Sequence, residues 1–293
     1  MPAAEVDVSP DLVRQLLATQ HPDLADLPIT VLANGWDNVM CRVGSELLAR
    51  MPRRAAAAEL VRHEQRWLPV LAPRLPLPVP APVRVGRPGL GYPWSWSIVP
   101  LIPGQVAAST PAADPRQAAT DLGGFLAALH TPAASDAPTH TTRGIPLADR
   151  RKTLKENLEL LGETVDRPTV TRAWASALGA PRWDGPPIWL HGDLHPANIL
   201  VHDGRISGVI DFGDITGGDP ASDLCVAWML LPADCHDTFR DAYRAADGHG
   251  ADDATWMRAR GWALALSLVF LAHSADNPQL YGIGRRTLDT VLG

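Results

Sequence analysis

The sequence predicts a mixed α+β fold: a small β-rich segment around one main helix, then a larger helical segment containing a β-hairpin. Three observations carry this. Residues 29–51 alternate apolar and polar positions as short strands do, residues 69–103 hold ten prolines, and the sequence beyond them repeats leucines at helical spacing. The 293 residues leave room for about two domains at roughly 150 residues each. They are placed at 1–103 and 104–293, with a hinge near 98–104.

Ile29–Gly35, Asn38–Gly44 and Glu46–Met51 read as three strands, the first two joined around Asn34-Gly35, a strong turn dipeptide. A helix follows over Arg54–Leu71, and Val83–Val85 and Trp94–Leu101 read as two further strands. The proline-dense stretch cannot donate to a sheet ladder, so it is expected as loops and edge strands. Asp114-Pro115 with Gln117 is a helix start, an N-cap with proline at N1 and a box-like partner at N3. Leu122, Phe125, Leu126 and Leu129 form one apolar stripe, and Leu147, Leu154, Leu158 and Leu161 a second. A strand, loop and hairpin interrupt at Ile188–Phe212, and helices resume from Pro220 to the end.

Composition narrows the function. Hydrophobic residues at 46% and charged residues at 20% fit a soluble globular protein and exclude wholesale disorder. The longest nearly apolar run, Trp262–Ala272, falls far short of the ~20 residues a membrane span needs. The acidic start MPAAEVDVSPD is no secretion signal, so the cytoplasm is the expected location. Cys41, Cys225 and Cys235 are too few and too scattered for a disulfide framework or a zinc cluster. A net charge of −6 argues against a nucleic-acid partner. Residues 1–205 balance 20 basic against 20 acidic residues, whereas residues 206–293 carry 6 arginines against 12 aspartates. Only Lys152 and Lys155 are lysines.

The informative segment is IWLHGDLHPANILVHDGRISGVIDFGD, Ile188 to Asp214. Asp203-Gly204 is a two-residue hairpin signal that pairs His202 with Arg205. Extending that register sets Asn198 opposite Val209, with Asp211 a diagonal neighbour on the same face, ~7–8 Å away at the backbone. Paired oxygen ligands suit Mg²⁺, which takes one or two protein oxygens together with phosphates and water. Asp193, in the loop before the first strand, is either a turn cap or a carboxylate that orients a substrate hydroxyl and accepts its proton. His191 and His195 are spaced like zinc ligands, but Gly192 and Pro196 argue against a helix holding them. Asp219 before Pro220 reads as a helix N-cap, and Asp223 as either a support of the loop or a solvated residue.

His191-Gly192-Asp193-Leu194-His195-Pro196-Ala197-Asn198, then Ile210-Asp211-Phe212-Gly213-Asp214, then Gly218-Asp219-Pro220 with Asp223-Leu224, resembles the aminoglycoside phosphotransferase family. That family has the bilobal protein-kinase-like fold and includes macrolide and choline kinases. The resemblance implies a kinase that uses Mg²⁺ and ATP or GTP to phosphorylate a hydroxyl of a small molecule, and it suggests a role in antibiotic resistance. It makes Asp193 the catalytic base, Asn198 and Asp211 the Mg²⁺ ligands, and His191 and Asp223 supports of the catalytic loop. An aminoglycoside is the expected acceptor; a macrolide, an amino alcohol or a sugar is the alternative. A non-catalytic nucleotide-binding module is the rival outside enzymes.

Kinase-like folds hold phosphates with a lysine on the third strand, paired to a glutamate on the next helix. No lysine precedes Lys152, and Arg50 stands in the equivalent place. Glu64 lies on the helical face of Leu60, Trp67, Leu68 and Leu71, where a carboxylate is costly unless paired, so Arg50 is its expected partner. Gly35 marks either a phosphate-covering loop or a plain hairpin turn. Val99-Pro100-Leu101-Ile102-Pro103-Gly104 resembles the family's hinge, which makes the Val99 carbonyl and Leu101 amide the expected adenine contacts, since Pro100 cannot donate. The aspartates of residues 206–293 suggest an acceptor of cationic character, because a cleft lined by one sign of charge concentrates the opposite sign.

Overall fold

The computed structural model describes residues 3–245 and 251–293 and divides into two compact units. The first comprises Met1–Pro73, Pro78–Pro103 and Ile210–Gly213; the second comprises Arg74–Leu77, Gly104–Val209 and Asp214–Gly293.

The first unit opens on a helix that the sequence reading passed over, α1 (Pro10–Gln20), with Ser9 as N-cap accepting from the Leu12 N–H and proline at the first turn. Strands β1 (Ile29–Asn34), β2 (Asn38–Val43) and β3 (Leu47–Pro52) precede helix α2 (Ala55–Leu71), and β4 (Arg84–Gly86) and β5 (Trp96–Pro100) follow. The five strands form one antiparallel sheet in the order β1-β2-β3-β5-β4. Val13, Leu16 and Leu17 of α1 complete its core with Val39, Cys41, Met51, Trp96 and Ile98. The unit therefore has two α-helices where the sequence reading expected one. The buried face of α2 is Ala57, Val61, Glu64, Leu68 and Leu71. Leu60 and Trp67 lie only half-buried at its margin, so the apolar stripe is rotated from the expected one while Glu64 stays on it.

In the second unit β6 (Gln105–Val106) leads to α3 (Pro115–Leu129), α4 (Arg151–Leu161) and α5 (Arg167–Leu178). Asp114 caps α3 by accepting from the Arg116 and Gln117 N–H groups, but the Gln117 side chain donates forward to Asp121 at 2.8 Å instead of closing a capping box. Both leucine stripes are buried as expected. Strand β7 (Ile188–Leu190), the hairpin β8 (Ile199–His202) and β9 (Arg205–Val209), and β10 (Thr216–Gly218) form two small sheets, β6-β8-β9 and β7-β10. Helices α6 (Ala221–Leu224), α7 (Val226–Leu230), α8 (His236–Ala245), α9 (Asp253–His273) and α10 (Pro278–Leu292) complete the chain. The expected helical continuation through residues 246–250 lies outside the described residues. No described helix is long and apolar enough to cross a membrane.

Candidate active site

The hairpin forms as its turn dictates near the tip and departs from it further on. Asp203 and Gly204 both have positive φ, 48° and 76°, as a type I′ turn requires. His202 pairs with Arg205 and Val201 with Ile206, but the next pair is Leu200 with Gly208, leaving Ser207 as a bulge. A bulge shifts every later pair by one residue, so Val209 faces Ile199 and not Asn198. Asn198 lies before the strand in the 3-10 turn Pro196–Asn198, and Asp211 lies beyond it with a left-handed φ of 65°. The expected diagonal pair on one hairpin face is thereby corrected: neither residue sits on the ladder.

In the second unit the loop His191–Pro196 is anchored from behind by Asp223, which is fully buried. Asp223 Oδ2 accepts the His191 N–H at 2.6 Å and Oδ1 the Gly192 N–H at 3.0 Å. His130 Nε2 stands 3.3 Å from Oδ2, and the His130 ring is held through Nδ1 by the Tyr243 hydroxyl at 2.8 Å. Gly192 permits this path: its φ is +86°, and a Cβ there would lie 2.2 Å from the Asp214 carbonyl oxygen. His191, wholly buried, accepts the Asp193 N–H on Nδ1 at 3.2 Å. The Asn198 amide donates to the Asp193 carbonyl at 2.9 Å, which leaves its Oδ1 as the atom suited to a hard cation. His195 accepts the Ala197 N–H and stacks edge-on against Phe270 with ring centroids 5.4 Å apart.

Asp193 meets a cation that the sequence did not announce. Arg143 Nη2 lies 2.6 Å from Asp193 Oδ1, its Nε lies 3.3 Å from Asp214 Oδ2, and His140 Nε2 stands 3.6 Å from Asp214 Oδ1. Burial alone would raise the pKa of Asp193, but the Arg143 guanidinium and His195 outweigh it and hold the carboxyl well below the usual range. His140 is also shifted down, chiefly by burial, which favours the neutral ring.

In the first unit Arg50 and Glu64 meet as expected. Arg50 Nε donates to Glu64 Oε2 at 2.9 Å, and Arg50 Nη2 donates to Asp211 Oδ1 at 2.7 Å. Burial would lower the Arg50 pKa, yet the two carboxylates raise it and fix the positive charge. Burial pushes Glu64 up to about 7, a rise that Arg50 only partly offsets. Gly35 closes the β1–β2 turn with its N–H donating to the Asn38 carbonyl at 2.8 Å and its own carbonyl accepting from Arg53. The plain-turn reading thus accounts for both of its polar groups. The Leu101 amide, expected on adenine, donates to the Glu46 carbonyl at 2.7 Å, and Val99 is paired with Leu48. This corrects the Leu101 assignment: β5 remains zipped to β3 to its last residues, so that donor is already engaged.

Two further expectations resolve in the second unit. The N-cap of α6 is Pro220 and not Asp219; the Asp219 carboxylate accepts the Ala221 N–H at 3.0 Å and is buried against Arg258 at 2.8 Å. Among the described residues the aspartates of the last third do not line one acidic cleft. Asp234, Asp237, Asp241 and Asp289 are solvent-facing and paired with Arg116, Arg240, Arg244 and Arg285, and Asp252 caps α9. Solvated, paired carboxylates supply little field, so they lend no support to a cationic acceptor. Among the described residues no cluster of three or more His, Cys, Asp or Glu side chains could hold a metal ion.

A family model described as the phosphotransferase enzyme family matches residues 28–262. No curated protein sequence matches the chain. Among solved structures, a GDP complex of wild-type aminoglycoside 2'-phosphotransferase-IIIa aligns at 19% identity over 97% of this chain and 99% of that one, with a TM-score of 0.72. A macrolide 2'-phosphotransferase from Brachybacterium faecium aligns at 23% identity over 94% and 98%, with a TM-score of 0.63. A ternary complex of streptomycin, ATP and an aminoglycoside phosphotransferase aligns at 16% identity over 97% of each chain, with a TM-score of 0.59. These likenesses show the kinase-like α+β fold, and the match over residues 28–262 shows that the chain belongs to the phosphotransferase enzyme family.

Proposed function

We propose that the protein transfers the γ-phosphoryl group of ATP or GTP to a hydroxyl of a small molecule, with Asp193 as the catalytic base. The observation that carries this is the construction around Asp193. Buried Asp223 holds the two preceding backbone N–H groups, and the Asn198 amide holds the Asp193 carbonyl, so one carboxylate is fixed on a rigid loop. In the reaction the acceptor oxygen bonds to phosphorus, the bond to the nucleotide's bridging oxygen breaks, and the hydroxyl proton passes to Asp193. A carboxylate of depressed pKa suits a loose transition state, in which the proton leaves late. Arg50 is kept cationic by Glu64 and Asp211 and retains further N–H donors for phosphate oxygens.

Asn198 in the second unit offers a carboxamide oxygen and Asp211 in the first a carboxylate, each a donor type that Mg²⁺ takes alongside phosphate and water. The ion, when bound, would neutralise charge on the phosphates. The acceptor classes in view are the aminoglycosides and macrolides named for the solved relatives, and hydroxylated metabolites such as amino alcohols or sugars. The test is Asp193→Ala: turnover falls by ~10²–10⁴-fold, as for a lost general base, with nucleotide affinity unchanged. Near-normal turnover in that variant would reduce Asp193 to a turn cap. Binding of nucleotide with no transfer to any acceptor would favour the non-catalytic reading.

A further inference from the structure

His130 and Tyr243 form a buried polar pair behind the Asp193 loop. His130 follows α3 as its C-cap, Tyr243 lies on the last turn of α8, and both are fully buried. The two helices approach closely at Gly123, where a Cβ would lie 2.7 Å from the Phe239 carbonyl oxygen and 3.1 Å from the Tyr243 nitrogen. The His130 and Tyr243 rings meet edge to face with centroids 5.5 Å apart, and Trp256 packs edge-on against Tyr243 at 6.1 Å. Neither side chain reaches solvent, so their polar atoms have only each other and Asp223 to satisfy them.

Buried polar groups need partners, and one placement of the hydrogens gives every group its own. Asp223 Oδ2 accepts the His191 N–H and Oδ1 the Gly192 N–H. The carboxyl therefore meets His130 as an acceptor, and Nε2, 3.3 Å from Oδ2, is the ring nitrogen that carries hydrogen. In a neutral ring Nδ1 is then an acceptor. Its partner at 2.8 Å is the Tyr243 hydroxyl, which burial holds protonated and which has no other hydrogen-bond partner among the described residues. An imidazolium would instead leave the hydroxyl hydrogen without an acceptor.

We propose that Tyr243 is a positioning residue for the transfer step: its hydroxyl donates to His130 Nδ1, fixes the ring as the Nε2–H tautomer, and so keeps a third donor on the carboxylate that holds the Asp193 loop. The effect on rate rests on the kinase reading above; the effect on the loop does not. Without the hydroxyl, Nδ1 is a buried acceptor with no partner. Moving the hydrogen to Nδ1 relieves nothing, because the Nε2 lone pair then faces Asp223 Oδ2. That repulsion draws the carboxylate off the His191 and Gly192 N–H groups, and Asp193 is the next residue in the chain.

The experiment uses the full chain, isotopically labelled on nitrogen, and reads the His130 ring and the backbone amides by nuclear magnetic resonance. The wild type should show one neutral His130 ring with its hydrogen on Nε2. Tyr243→Phe should lose that single form and exchange the His191 and Gly192 amides with solvent about tenfold faster, as for one lost buried hydrogen bond, while the amides of α4 exchange as before. A wild-type ring that is cationic or carries its hydrogen on Nδ1 overturns the proposal, and this reading needs no variant to fold. Unchanged exchange of the two amides in Tyr243→Phe, or a rise shared equally by α4, overturns it as well, since Tyr243 would then serve only the fold at large.

A second arm measures transfer from Mg²⁺-ATP to whichever aminoglycoside, macrolide, amino alcohol or sugar the wild type phosphorylates. Tyr243→Phe should lower kcat by roughly tenfold with nucleotide KM unchanged. In an Asp223→Asn background the same substitution should change kcat by less than about twofold, because the contact it acts through is already altered. Equal losses in the two backgrounds, or a rise in nucleotide KM with kcat unchanged, overturns the positioning role and leaves the kinase standing. The expected tautomer and amide exchange with no transfer to any acceptor upholds the relay and fails the kinase reading instead.

Discussion

Replacing Asp223 by asparagine tests whether the loop around Asp193 is held by design of the buried layer behind it. The carboxylate accepts the His191 N–H at 2.6 Å and the Gly192 N–H at 3.0 Å, and no solvent reaches it. Asparagine offers one oxygen and turns an NH₂ group toward the other N–H. One backbone donor is then buried without a partner, at a cost of about 1–3 kcal/mol. The surviving bond loses its charge assistance as well. The loss should appear as a lower urea midpoint with an unchanged m-value. Its functional consequence is larger. Gly192 stands between Asp223 and Asp193 in a backbone conformation that the two hydrogen bonds maintain, and a displacement of about 1 Å at a reacting group costs on the order of 10²-fold in rate. Steady-state assays should therefore show kcat down by roughly that factor, with nucleotide KM little changed. A variant that loses stability yet keeps near-normal kcat would show that Asp223 supports the fold and does not position Asp193.

Three other predictions follow from single contacts. Burial raises Glu64 from 4.5 in the unfolded chain to about 7, so its contribution to stability is complete below about pH 4.5 and is lost as pH rises through 7. Urea unfolding at pH 5 and pH 8 should show the wild type losing more stability than Glu64→Gln over that interval; equal losses would contradict the assignment. Gly192→Ala places a Cβ against the Asp214 carbonyl at 2.2 Å on a backbone with φ +86°. It should cost on the order of 1–3 kcal/mol and most of the activity, and a silent substitution would refute the tight turn. Arg258→Met leaves Asp219 buried and unpaired, so calorimetry should register a loss of about 3–5 kcal/mol, and the double variant with Asp219→Leu should recover part of it.

The sequence was most readable where one residue's own chemistry decides local structure. Asp203-Gly204 requires positive φ at two successive positions and adopts it, and Asp114-Pro115 starts α3 at the expected residue. Glu64 on an apolar stripe demanded a cation, and Arg50 supplies it at 2.9 Å. Features set by tertiary contact were less legible. A two-residue turn fixes register only near the tip, so the bulge at Ser207 and the true settings of Asn198 and Asp211 were hidden. Helix α1 escaped although Ser9-Pro10 announces it, and β10, Thr-Gly-Gly, has no strand propensity and exists because β7 pairs with it. Arg143 carries no periodic signal; only the folded loop brings it to Asp193. Charge counting over residues 206–293 misled because it could not see that Asp234, Asp237, Asp241 and Asp289 face solvent beside arginines and that Asp252 caps a helix.

The central claim is phosphoryl transfer with Asp193 as base, and its most direct test is mass spectrometry of a panel of aminoglycosides, macrolides, amino alcohols and sugars after incubation with ATP or GTP and Mg²⁺. The account predicts an acceptor gaining one phosphoryl group, with transfer abolished by chelating the divalent ion and reduced by ~10²–10⁴-fold in Asp193→Ala. Phosphorylated product formed equally well by Asp193→Ala, or nucleotide bound by the wild type with no acceptor of the panel modified, would contradict it.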